Sequence, residues 1–265
     1  MYIQKEALSG GQNPYLALEQ GIGKEVGMDV ILLVLEAGEK ASFCEPEKET
    51  ALLLFCGEAV WAASGTEKRV SRDSEFTQEA SCLHAPAGAE ISVRAVRHSE
   101  IYIQRVKNER GFTPVFYMPE DIQVQRAGED DLQGTMRRNI KTVFDYENAP
   151  YSNMVLGEVL NFPGKWSSYP PHFHPQPEVY FYRFDKPQGF GAGFANGEVH
   201  KTTHNGLLVI QSGFHSQAAA PGYGLCYVWG IRHLQNDPWK KTRIDEKEHT
   251  WMLQPGAVFL SDAEN

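Results

Sequence analysis

The feature that most limits what this chain can become is the rhythm of its apolar residues. Runs of six to eleven residues rich in Val, Ile, Leu, Phe and Tyr recur along the whole length, and Gly, Pro, Asn and Asp break them up. No long stretch repeats its apolar residues every 3.6 positions, so helices should be few and peripheral. The runs at 29–36, 50–60, 90–96, 100–106, 154–162, 179–184, 189–194, 206–211 and 225–231 read as strands. Many short strands joined by Gly/Pro turns predict an all-β chain built as a sandwich or jelly-roll barrel.

At 265 residues the chain is long enough for two ordinary domains. Two blocks echo one another. Each opens with a strand running into a glycine, Leu35-Glu-Ala-Gly38 and Leu160-Asn-Phe-Pro-Gly164. Each later has a Pro/Gly turn leading into another strand, Ala85-Pro-Ala-Gly88 and Gln211-Ser-Gly-Phe-His215. The expected organisation is a barrel over 1–120, a polar linker over 121–145 and a second barrel over 146–265.

The blocks differ in chemistry. In the second, Pro171-His172-Phe-His174-Pro-Gln-Pro-Glu178 precedes a strongly strand-forming run. Side chains two apart on a strand share a face, so His172 and His174 aim together, and a Pro-rich turn returns Glu178 to the same interior. His215, after a Ser-Gly turn and an apolar strand, is the best fourth member. Three imidazoles and a carboxylate suit one divalent metal, and leave room for water or substrate as a catalytic site requires. Zn is foremost, with Mn, Fe or Ni also compatible. The corresponding stretch of the first block, Ala41-Ser-Phe-Cys-Glu45, has no histidine, so that barrel is expected to lack a metal site.

Net charge is −9, and the densest basic cluster, Lys240, Lys241 and Arg243, is followed at once by Asp245, Glu246 and Glu248. That cluster reads as solvated surface, and the balance argues against a nucleic-acid partner. No apolar run reaches the length of a membrane span, and the N-terminus does not read as a secretory signal. Cys44, Cys56, Cys82 and Cys226 form no CxxC pair, which fits reduced thiols and a cytoplasmic location. The unpaired sheet edges left by two jelly rolls would suit a homo-oligomer.

The histidine pair, Glu178, Gly189, Gly206 and Gly213-x-His215 resemble the two motifs of the cupins. More narrowly, Trp166-Ser-Ser-Tyr-Pro-Pro-His172, Glu178-Val-Tyr-x-Tyr-Arg-Phe184, Pro187-Gln-Gly-Phe-Gly191 and Ala220-Pro-Gly-Tyr223 are similar to the 5-deoxy-glucuronate isomerases of myo-inositol catabolism. The related 5-keto-4-deoxyuronate isomerases share the histidine pair and Glu-Val-Tyr. The Pro-Gln-Pro between His174 and Glu178 is nearer their spacing than the longer acidic insert of the inositol-pathway enzymes. The resemblance implies a bicupin of two tandem jelly-roll barrels and an aldose–ketose isomerisation of 5-deoxy-D-glucuronate to 2-deoxy-5-keto-D-gluconate. A small sugar acid would be its partner.

In that chemistry the metal polarises the C1 carbonyl while a proton moves from C2 to C1. Tyr180 and Tyr182 share the parity of Glu178 and are candidate proton-relay groups, or else core aromatics. The substrate carboxylate calls for an arginine, and Arg183 or Arg232 is expected to supply it. Trp166 and Tyr169, just before the histidines, would wall the sugar or pack the core. An Fe(II) cupin dioxygenase and a non-catalytic sugar-acid-binding cupin are the alternatives.

Overall fold

The computed structural model describes residues 1–260. The first part of the chain forms β1 (Tyr2–Gln4), β2 (Gly11–Leu16), β3 (Asp29–Leu35), β4 (Lys40–Cys44), β5 (Lys48–Ala63), β6 (Thr66–Arg72), β7 (Cys82–Ala85), β8 (Glu90–Lys107) and β9 (Val115–Tyr117). Next come β10 (Gln123–Ala127), β11 (Arg138–Phe144), β12 (Met154–Asn161), β13 (Trp166–Phe173), β14 (Glu178–Phe184) and β15 (Phe190–Ala195). Then follow β16 (Glu198–Thr203), β17 (Gly206–Ile210), β18 (His215–Ala219), β19 (Leu225–Arg232) and β20 (Ile244–Asp245). The one α-helix described is α1 (Gly21–Val26), and no helix among the described residues is long and apolar enough to cross a membrane.

Strand pairing shows the same jelly roll built twice. In the first unit β3, β4 and β5 all pair with β8, and β5 also pairs with β6 and β7. In the second, β12 and β14 pair with β19, β13 and β15 with β18, β15 with β16, and β14 with β17. Two long bent strands of the first unit, β5 and β8, thus do the work of the strand pairs β14–β15 and β18–β19. The runs at 90–96 and 100–106, which read as separate strands, are one strand bent at a corner. There the backbone of Gly57 has φ +114°, and a Cβ would lie 2.3 Å from Ser99 Oγ, so only glycine fits.

Residues 121–145 are more than a linker. They carry β10 and β11, which extend the sheet containing β12. Gln123, Val124, Gln125 and Arg126 are all exposed, so this edge strand has no buried face to give an apolar alternation. At the opposite edge of the same sheet, β1 crosses over from the N-terminus to pair with β17.

The unbroken apolar runs follow from burial on both faces. On β3, Val30 and Leu32 enter a core shared between the units, whereas Ile31, Leu33 and Leu35 fill the first unit's own interior. On β14, Val179 and Phe181 join the shared core, and Tyr180, Tyr182 and Phe184 face the second unit's interior. Each such fully buried aromatic or aliphatic side chain contributes about 1.5–3 kcal/mol. The junction also holds a buried bidentate ion pair, Arg72 Nη1 and Nη2 to the Glu158 carboxylate at 2.8 and 2.7 Å.

Candidate metal centre

The site is made by a defect in one ladder. Trp166 and Ser167 of β13 pair with Ala218 and Gln217 of β18, and pairing resumes at His172 opposite His215. Four residues on β13, 168–171, therefore face one on β18. The excess bulges out, helped by Pro170 and Pro171, which have no N–H to give to a ladder, and by Ser168 at φ +52°. The bulge sets His172 directly across from His215, with ring centroids 4.3 Å apart, and His174 follows on the same face. Potential ligand atoms of His172, His174 and His215 lie within 4.8 Å of one another. Glu178, the first residue of β14, brings Oε2 to 3.3 Å from His174 Nε2 and 3.2 Å from His215 Nε2.

The protonation pattern of this group fits a cation. His172 Nδ1 lies 3.3 Å from the Ser168 carbonyl and His215 Nδ1 3.2 Å from that of Gly213. A carbonyl can only accept, so Nδ1 carries a proton on both rings, and in the neutral imidazole Nε2 is left as a lone pair. His215 Nε2 is buried, makes no hydrogen bond, and faces a carboxylate oxygen. Two acceptors facing each other repel unless something positive lies between them, and outer carbonyls that fix the tautomer are typical of metal-ligating histidines. Burial above all, with the nearby charge of Arg243, pushes His172 down to about 2. Burial alone would raise Glu178, but the hydrogen bond from His174 is foremost among the interactions that outweigh it and hold the carboxyl at about 2. A neutral imidazole and an ionised carboxylate are the forms that bind metal.

Beside the group is a cavity of about 150 Å³. Tyr180 lines it, with its hydroxyl 3.2 Å from Ser168 Oγ. Ser168 is in turn 3.5 Å from the Tyr227 hydroxyl, which lies 2.9 Å from Ser167 Oγ. Burial raises both phenols, Tyr180 well above its ordinary value and Tyr227 to about 12, so both are protonated at neutral pH.

Other expected site residues lie elsewhere. Tyr182 shares the parity of Tyr180 but is fully buried deeper in the unit, where its hydroxyl donates to Gln217 Oε1. Arg183 has the opposite parity: it points into the junction, with Nε 2.9 Å from Glu75 and Nη1 2.6 Å from Glu100. Arg232 follows Ile231 on β19 and so faces away as well, donating from Nε to the Val26 carbonyl at 2.6 Å. Tyr169 is not among the residues that line the cavity. Trp166 packs edge-on to Tyr169 at 5.3 Å and stacks on Phe194 at 5.2 Å. Sequence reasoning missed Tyr227, Trp239, Arg138 and Arg243, which do line the cavity. Tyr227 carried a usable signal, because Tyr227, Trp229 and Ile231 alternate along β19. Arg138 and Arg243 lay in stretches read as linker and as solvated charge.

Paired jelly rolls, one with a His/Glu group in its hollow interior, define a cupin with a candidate metal centre. The chain belongs to the KduI/IolB family, which matches residues 2–252. The 5-deoxy-glucuronate isomerase of Shouchella clausii is 23% identical over 216 residues, 74% of each chain. An IolB-like protein of Salmonella typhimurium superposes with a TM-score of 0.86 at 20% identity, over 96% of this chain and 99% of that one. A cupin 2 conserved barrel domain protein from Leptotrichia buccalis superposes with a TM-score of 0.50 at 13% identity, over 87% and 92%. Expectations of an all-β cupin fold and of this family of isomerases are borne out.

Proposed function

We propose that this chain is a metal-dependent aldose–ketose isomerase of myo-inositol catabolism that converts 5-deoxy-D-glucuronate to 2-deoxy-5-keto-D-gluconate. Family membership makes the chain an isomerase, and the named activity of its relatives suggests the substrate. The observation that carries the metal is the buried His215 Nε2 lone pair facing the Glu178 carboxylate, beside a cavity. His172, His174, Glu178 and His215 would hold the ion. Such a divalent cation, Zn foremost, would supply the Lewis acidity that the isomerisation calls for. Tyr180, with Ser168 and Tyr227 behind it, makes a hydroxyl relay that takes up the proton leaving C2 and returns a solvent-exchanged proton to C1, while the C2 hydroxyl proton passes to the C1 oxygen.

The test is turnover in D2O, followed by NMR, with dioxygen monitored. Deuterium at the C1-derived carbon of the ketose, with no oxygen uptake, is the expected result. Unlabelled ketose would replace the proton relay with a direct hydride shift. Oxygen consumption coupled to substrate loss would make the protein a dioxygenase, and binding without turnover would make it a sugar-acid-binding cupin.

A further inference from the structure

Both arginines expected to meet a substrate carboxylate point away from the cavity, yet two others line it. Arg138 opens β11 opposite Asn161 of β12. Its Nη1 donates to the Met136 carbonyl at 2.8 Å, and it makes no salt bridge among the described residues. Arg243 comes from the segment leading into β20, whose Asp245 pairs with His172. Its Nε donates to Asp245 Oδ1 at 2.7 Å and its Nη2 to the Pro170 carbonyl at 3.0 Å, which anchors one side of the guanidinium.

The anions of the cavity are taken by other partners: Asp245 holds Arg243 and Glu178 faces His174 and His215, which leaves Arg138 with no carboxylate of its own among the described residues. Burial lowers Arg138 from the usual guanidinium value, with Tyr227 and Asp131 working against it and repulsion from Arg243 adding to it. A half-buried guanidinium without an anion is costly, and the ligand that would relieve it is a carboxylate, whose two oxygens match the planar fork.

We propose that Arg138 and Arg243 form a carboxylate clamp that sets a preference for a sugar acid over the corresponding neutral sugar. The clamp rests on the isomerase reading for its substrate, and places the acid group on the arginines while the aldehyde end meets the histidine group. Neither arginine is in a stretch whose sequence suggested a site. β11 and β20 bring them together by pairing with strands on either side of the centre.

The experiment compares kcat/KM for 5-deoxy-glucuronate and for 5-deoxy-glucose, its neutral counterpart, in the wild type, Arg138→Gln, Arg243→Gln and the double variant. It also measures, by calorimetry, binding of the C1-reduced acid, which keeps the carboxylate but cannot isomerise. Arg243 is exposed, so its substitution leaves folding intact even if Arg138→Gln does not. Each single variant should lose about 10- to 100-fold in the acid-over-neutral ratio, the size of a charged hydrogen bond. The double variant should lose more, and Arg→Lys should restore only part because lysine lacks the fork. Acid-over-neutral preference unchanged in an active Arg243→Gln enzyme would overturn the clamp and leave the isomerase standing. A wild type that binds the reduced acid through these arginines, but turns over neither sugar, would keep the clamp and defeat the isomerase. Binding of the reduced acid at equal strength in all variants would also overturn the clamp.

Discussion

The two jelly rolls of this chain share a strand plan and differ in what fills them. In the first unit, β4 pairs with the early half of β8, as β13 pairs with β18 in the second. Where β13 and the residues just after it present His172 and His174, β4 presents Phe43, and the interior behind it is closed by Trp61, Leu52, Leu54, Ile91 and Val93. In the second unit the equivalent space keeps a cavity walled by tyrosines, histidines and a carboxylate. The same backbone can be a packed core or a site, depending on whether its inward positions are apolar or hold ligands, and on one bulge that opens the wall. The shared core between the units leaves the first as a buttress for the second.

The comparison breaks most visibly at His174. Replacing it with Ala should remove the metal and the activity from the second unit. The loss in metal affinity should exceed the roughly 10- to 100-fold that follows loss of an outer-shell partner. Elemental analysis of the purified variant checks this, and stoichiometric metal in His174→Ala would refute the ligand set.

The counterpart in the first unit is Trp61→Ala. Trp61 is fully buried in the first interior, so the substitution should cost roughly 3–5 kcal/mol in chemical denaturation. Metal content per folded chain should stay at the wild-type value. A variant that is destabilised and also metal-free would mean that the first unit does more than support the second.

A smaller effect separates the units by pH. His204 and His233, both of the second unit, are pushed down to about 4, chiefly by burial, and His172 to about 2. Unfolded histidines titrate near 6.5, so below that pH the unfolded chain binds more protons and stability falls as pH drops from 6.5 toward 4. At pH 5 this is at most about 2 kcal/mol per histidine, and less with partial exposure. His98 of the first unit is shifted up, mainly by its hydrogen bond to Glu36. Its small contribution is therefore complete below 6.5 and fades as pH rises through its folded value. Hydrogen exchange of chelator-treated protein at pH 7 and pH 5 should show the second unit loosening first. Earlier loosening of the first unit would reverse the assignment.

What the sequence determined by itself is whatever depends on neighbours in the chain. Alternation and turn residues specify strands, and the two-residue spacing of His172 and His174 places both on one face whatever the strand later pairs with. The Pro-rich return to Glu178 is equally local, so these members of the site were legible. His215 could be added because a Gly turn and an apolar strand mark its position. Tertiary structure decided the rest. Whether Arg183 and Arg232 face the cavity or the junction depends on which side of β14 and β19 the other unit covers. That is settled by packing between strands far apart in sequence. Arg138 and Arg243 lie 105 positions apart and carry no local pattern, and they meet only because β11 and β20 hydrogen-bond to opposite walls of one unit. A strand's own period says which residues share a face, but only the sheets packed around it decide which face becomes core, junction or site.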